Sequence, residues 1–340
     1  MMETNSTFDR RVFVEDKMAI PRLKNRKKSL GSRFRSAFGV ALLLTFGLTD
    51  ASSAATAPQK SFSSAEEAVK AVVAAARGNN DKELLAIFGA QAKELMYSGD
   101  PTADKQRRAQ FLKAYDEKNR LVTEKENTIV VIGNNDWPFP IPLVKKSEGW
   151  VFDTQKGREE ILNRRIGQNE MNAIQVTLAY MDAQREYAMK DRDGDGILEY
   201  ARRFRSEAGK KNGLYWEAKP GEEQSPLGPL VAQAQKAGYT AQGTGAGQTA
   251  APFHGYFYKI LEGQGKDAAG GAYSYVVNGS MIGGFALVAY PAEYGNSGIM
   301  TFIVNHDGKV FQKDLGKNTA AVASAMKQYN PDSTWSEVKE

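Results

Sequence analysis

Residues 169–200 read NEMNAIQVTLAYMDAQREYAMKDRDGDGILEY, and the two parts of this stretch obey different rules. In the first part Met171, Ile174, Leu178 and Met181 recur at spacings of three and four, with Tyr180 and Tyr187 beside them. That period draws one apolar stripe along a helix, and a single stripe asks for a single packing partner. The spacing predicts a helix over 157–190, capped by Asp153 and Thr154, lying on a sheet with Asp182, Gln184 and Arg185 towards water. In the second part Asp191, Asp193 and Asp195 alternate, Gly196 follows, and Glu199 closes the run. Hard cations take about six or more oxygens, and a tight loop of this kind supplies several from one segment.

In an EF-hand frame, Asp191, Asp193 and Asp195 hold positions 1, 3 and 5 and Gly196 permits the turn. Ile197 then offers its carbonyl and Glu199 a carboxylate. The bidentate glutamate that should close the sphere is replaced by Arg202. The loop is EF-like without its closing ligand, so Glu199 or a distant oxygen must complete it. Three aspartates two residues apart repel one another without a cation. The expected ion is calcium, since magnesium seldom uses all-protein cages. Its expected role is structural, tying the helix end to the segment after it.

The partner sheet lies downstream. Residues 256–261, 273–277, 281–290 and 300–304 alternate or run apolar, and 309–313 returns as a last strand. Asn278-Gly279 and Asp307-Gly308 are two-residue hairpin signals, because primed turns need positive φ. A short helix is expected at 230–237 and a last one at 319–329, before Pro331. The glycine run at 243–247 neither follows a strand nor opens a helix, so it reads as a loop and not as a phosphate cradle.

Upstream, residues 62–155 read as a separate α+β unit. Ser63 and Glu66 form a capping box. Ala65, Val69, Val72, Val73 and Ala76 then follow at helical spacing. Residues 78–81 (GNND) stop that helix and start another, and a third is expected at 105–115. Strands are expected at 128–132, 141–145 and 150–152. Pro138, Pro140 and Pro142 alternate in DWPFPIPLV, and proline lacks the ladder donor, so this segment belongs at an edge or before the strand proper. Trp137 and Phe139 read as a hydrophobic plug. With Trp150 they become a ligand site only if this unit is hollow.

Residues 1–57 read as a leader. A basic stretch from Arg22 to Arg35 precedes a short apolar run at 37–48 (AFGVALLLTFGL), then small residues with candidate cleavage sites at 52–54 or 55–57. Met1 or Met18 is the start. The leader holds ten Lys or Arg against five Asp or Glu, so the formal charge of +5 leaves 35 of each in the remainder. A balanced remainder exerts no general pull on nucleic acid, and a membrane is reached only through an uncleaved leader. The absence of cysteine excludes disulfides, thiolate metal sites and a cysteine nucleophile. The expected location is periplasmic or secreted.

No catalytic set is apparent. His254 and His306 are the only imidazoles. His306 sits in a polar turn, and no G-x-S-x-G, H-E-x-x-H or P-loop pattern occurs. His254 remains a candidate ligand-site residue.

The blocks FSSAEEAVKAVVAAARG (62–78), DWPFPIPLV (136–144), DRDGDGILEY (191–200) and VVNGSMIGGFALVAYPAEYG (276–295) resemble the bacterial secreted family known as domain of unknown function 2950. The resemblance spans 62–335 and implies compartment and architecture without a chemistry. The order of 169–200, HGYFYKIL (254–261) and MTFIVNHDGKV (300–310) is also similar to the globular part of type IV pilin-like and type II secretion pseudopilin-like proteins. Those place a helix on an antiparallel sheet, and some carry a calcium loop. Here the helix lacks their apolar, membrane-embedded first half, and polymerisation is not implied. The first unit resembles cystatin or NTF2 folds.

The expected architecture is therefore α+β in two domains. Residues 62–155 form a helix on a curved sheet, and 156–335 a long helix on an antiparallel sheet with the loop 191–199. The expected function is a non-catalytic, calcium-stabilised envelope module that binds a small ligand or an envelope protein. The rival is a periplasmic hydrolase of cell-wall or glycan material, with His254 and acids near the loop.

Overall fold

The chain is mixed α and β, with two five-stranded antiparallel sheets that each cover their own hydrophobic core. Two small two-stranded sheets pair Gly263–Gln264 with Tyr273–Ser274 and Val276–Val277 with Ser280–Met281. The computed structural model describes residues 58–192, 194–239 and 251–339. The leader, Asp193 and the glycine run at 243–247 lie outside the described residues.

The first core is built by α1 (Ala65–Arg77), α2 (Asp81–Phe88), α3 (Lys93–Met96) and α4 (Pro101–Glu117), set over a sheet. Helix α1 forms because Ala68, Val69, Val72, Val73 and Ala76 fall on one buried face. Its cap is Ser64, whose hydroxyl accepts the Glu67 N–H at 3.1 Å. The box thus sits one residue later than Ser63 and Glu66. The Ser63 hydroxyl instead donates to the Glu67 carboxylate. Gly78 ends α1, and the Asn80 side chain caps α2, as the composition of that turn suggests.

The sheet has strands β1 (Asn119–Glu124), β2 (Asn127–Ile132), β3 (Trp137–Pro138), β4 (Leu143–Lys146) and β5 (Gly149–Phe152). Its order is β1-β2-β4-β5, with β3 also on β2. Strand β1 has a mostly exposed, largely polar sequence, and its apolar period is too weak to announce it. The prolines explain the split of β3 from β4. Leu143 and Val144 pair with one end of β2, while Trp137 and Pro138 pair with the other. Between them the Phe139 N–H still donates to the Val130 carbonyl at 2.7 Å, a bond its proline neighbours cannot make.

Helix α5 (Thr154–Tyr187) is a 34-residue rod capped by Asp153. Its buried face overlaps the expected stripe and is wider than it. Met181 is buried with Tyr180 and Tyr187, Ile174 and Leu178 pack on the core, and Ala173, Val176, Thr177 and Gln184 are buried beside them, while Met171 is 47% exposed. Gln184, expected in water, is fully buried. Its amide donates to the Ala201 carbonyl and the Tyr180 hydroxyl, and its carbonyl accepts the Ala201 N–H. A polar residue that satisfies a returning backbone reads as solvent-facing on period alone.

Helix α6 (Gly228–Lys236) follows, then β6 (Tyr256–Leu261), β7 (Gly263–Gln264), β8 (Tyr273–Ser274), β9 (Val276–Val277), β10 (Ser280–Met281), β11 (Ala286–Pro291), β12 (Met300–Asn305), β13 (Val310–Asp314), α7 (Thr319–Ala325) and β14 (Ser336–Glu337). The main sheet runs β14-β13-β12-β11-β6, antiparallel throughout. Tyr180, Tyr256, Phe285 and Phe302 fill the space between it and α5.

Asn278 and Gly279 both take positive φ in the β9–β10 turn. Only Gly308 does so in the β12–β13 connection, where the last paired residues are Val304 and Val310. That connection is a longer loop, not a two-residue primed turn. Among the described residues no helix is long and apolar enough to cross a membrane.

Candidate functional site

The first unit is hollow. A cavity of about 670 Å³ opens between its helices, its sheet and the first turns of α5. Val72 and Ala76 of α1, Leu84 and Phe88 of α2, and Phe111 and Ala114 of α4 line one side. Ile132, Trp137 and Phe139 line another, and Ile161, Arg164, Arg165 and Gln168 of α5 complete it. A volume of this size lies in the range of small-molecule sites.

The aromatic walls are rigid. Phe139 packs against Phe88, Phe111 and Phe152 with ring centroids 5.4–6.3 Å apart. Trp137 and Phe139 therefore act at once as plug and as wall, since both pack on the core and both face the cavity. Trp150 packs on the same core but does not line the cavity. Its backbone bridges Phe62 instead.

The charge on the walls is one-sided. Among the described lining residues there are four arginines and one acid, Asp104. Arg107 is bound to Asp104 at 3.1 Å and Arg108 to Asp81 at 2.6 Å. Arg164 lays its guanidinium over the Trp137 ring at 5.0 Å and donates through Nε to Glu160 at 2.6 Å. Its Nη1 is buried without an acceptor among the described residues. Arg165 is 5% exposed. It donates to the Glu94 and Leu95 carbonyls and to the Asn296 side chain. Asp104 and Glu293 act on it from beyond hydrogen-bond distance, its direct acceptors are all neutral oxygens, and its Nε has none. Burial, with Arg107 nearby, draws its pKa down to about 10, so it stays charged at neutral pH. These arginines carried no motif. The signal available in the sequence was Arg164-Arg165 on a helix whose apolar stripe begins only later.

His254 stands elsewhere. It has φ 52° and packs on Phe253 and Tyr239, with ring centroids 4.1 and 5.6 Å away. Burial pushes its imidazole pKa down, against the pull of Asp100. Asp100 itself is buried and takes the Tyr239 hydroxyl at 2.8 Å, the Gly255 N–H at 2.9 Å and the Ala103 N–H at 3.0 Å. This cluster joins the start of α4 to the chain entering β6. Its acid is occupied by three donors.

The acidic loop is turned by Gly194 and Gly196, both at positive φ. The Asp191 carboxylate accepts the N–H groups of both, at 2.7 and 2.9 Å. Asp195 accepts the Ile197 N–H at 2.8 Å. Glu199 reaches across to the Met281 N–H at 3.2 Å, so one of its oxygens is already engaged on β10. Arg202 is turned away to Glu262 at 2.8 Å and to the Gly279 carbonyl. Among the described residues, which exclude Asp193, no group of three or more acidic, histidine or cysteine side chains is arranged as a cation site. Basic neighbours of the loop are drawn off it. Lys190 and Lys211 bind Glu223, whose pKa they pull down to about 2.

A family model described as "Protein of unknown function (DUF2950)" matches residues 59–338. No curated protein and no solved structure matches the chain at a significant level.

Proposed function

We propose that this chain, which belongs to the DUF2950 family of proteins of unknown function, is a non-catalytic binding module of the bacterial envelope whose ligand enters the cavity of its first unit. The observation that carries the reading is the cavity itself. A concave, largely apolar opening of this size, walled by Phe88, Phe111, Trp137 and Phe139, has the character of a small-molecule site. In this reading the first unit is a cystatin- or NTF2-like cup. The second is a pilin-like helix on a sheet whose helix spends its first turns on the cup rather than in a membrane. Residues 1–57 act as the export leader, which places the protein in the periplasm or outside the cell. Its partner is a small apolar molecule, or an envelope protein that presents one.

The neutral fluorophore N-phenyl-1-naphthylamine should bind the whole protein with enhanced, blue-shifted emission. Val72→Trp, which fills the cavity from α1, should weaken binding by about tenfold or more. Equal binding by the filled variant would sink the cavity reading.

The acidic loop supports a second, separate part of the proposal. Calcium would bind through Asp191, Asp193, Asp195, the Ile197 carbonyl and Glu199 and tie the end of α5 to the segment that follows. Glu199 must then share itself between the ion and the Met281 N–H. Calorimetry should show heat on calcium addition, and at a hundredfold excess over Kd the Tm should rise by roughly 5 °C. Asp193→Ala should abolish both effects. No heat and no Tm change in the parent protein would remove calcium from the account.

A further inference from the structure

We propose that the cavity is built for an amphipathic anion: an apolar chain or ring ending in a carboxylate or phosphate, with the acidic group held by Arg164 and Arg165. This rests on the cavity being the binding site and goes further by naming the chemistry of the head group.

The argument is one of unfinished electrostatics. A buried guanidinium normally has a carboxylate, because removing a charge from water is costly without a counter-charge. Arg165 is almost wholly buried, and its described partners are neutral oxygens only. Its Nε has no acceptor, and neither has the buried Nη1 of Arg164, the next residue on the same helix. Both residues line the cavity. Two adjacent cations that line one void each keep a donor without an acceptor, which an oxyanion reached by a small shift of either side chain would satisfy. Guanidinium groups bind carboxylate and phosphate through paired N–H donors, which gives direction as well as charge.

The remaining charges leave that role open. Asp104 is the one acid among the described lining residues, and it is bound to Arg107 and to the Ser98 N–H. Glu160 is ion-paired with Arg164 through Nε and fixes that side chain, while the Nη1 donor keeps no acceptor. The Trp137 ring holds the guanidinium from one face. An anion would be met by donors already in place, while Phe111 and Phe139 would cover its apolar part.

The test displaces N-phenyl-1-naphthylamine from the whole protein with decanoate, decyl phosphate, decanol, decyltrimethylammonium and inorganic phosphate. Decanoate or decyl phosphate should displace the probe at a concentration at least about tenfold below that of decanol, the worth of one charge-assisted pair. The cationic amphiphile should be no better than decanol, and inorganic phosphate alone should not displace the probe. The ratio of the two anions identifies the head group preferred. Arg165→Gln should bring the anion within about twofold of decanol. Arg164→Gln, which loses only the Glu160 bond and the Trp137 stack, should do the same if the Arg165 variant does not fold. Bound probe in either variant shows that the cavity persists. Decanol matching decanoate in the parent protein would overturn the anion inference and leave the cavity standing. A parent protein that binds no probe would overturn both.

Discussion

Asp100→Ala should unfold at a much lower urea concentration than the parent protein, with a loss of about 3–5 kcal/mol. The carboxylate caps α4 through the Ala103 N–H, and it also receives the Tyr239 hydroxyl and the Gly255 N–H. Alanine strands all three donors in a buried place, and each stranded donor costs about 1–3 kcal/mol. One of the three, the Ala103 N–H, is the α4 cap, whose loss alone costs about 1 kcal/mol. Tyr239→Phe removes one donor and leaves the His254 N–H without its acceptor, so it should cost less, on the order of 1–2 kcal/mol. A loss below that of Tyr239→Phe for Asp100→Ala would show that the cluster is not a structural tie.

The second large effect is expected at Gln184. Its amide is fully buried and makes three hydrogen bonds, two of them to the backbone of Ala201. Gln184→Ala would leave both Ala201 groups and the Tyr180 hydroxyl short of a partner and open a void. The expected loss is about 2–4 kcal/mol by urea denaturation. Gln184→Glu should also be costly, because it keeps the shape but loses the donors to the Ala201 carbonyl and Tyr180. If Gln184→Ala unfolds at the parent urea midpoint, the amide does not hold the chain across the acidic loop.

Much of the fold was legible because hydrophobic period and turn chemistry agreed. Val69, Val72, Val73 and Ala76 are buried as their spacing requires, and Asn278-Gly279 turns as its φ preference requires. The mismatches have physical causes. Gln184 is a polar residue buried on a helix, and period assigns polar residues to water. Strand β1 is mostly exposed, with Arg120 and Glu124 on one face, and is held by pairing with β2 along its whole length. The site was half legible. Trp137 and Phe139 face the cavity, whereas Trp150 and His254 do not line it. The arginines were missed because a cation's value depends on which acids lie near it in space, and spacing along the chain does not carry that. The acidic loop was legible as a turn rich in carboxylates; the reach of Glu199 to Met281 depends on a strand that lies far along the chain.

Helix α5 was read as the beginning of the second unit, but at about 1.5 Å per residue it is a rod of roughly 50 Å that supplies walls to both cores. At its start Gly157 lies against Ile141 and Pro140 so closely that an added Cβ would stand 2.7 Å from Ile141 Cγ1. A cut at residue 155, where the composition changes, would take Ile161, Arg164, Arg165 and Gln168 out of the ligand cavity. The two units are therefore distinct as architecture but share one girder, and the first cannot be excised with its cavity walls intact unless the start of α5 goes with it.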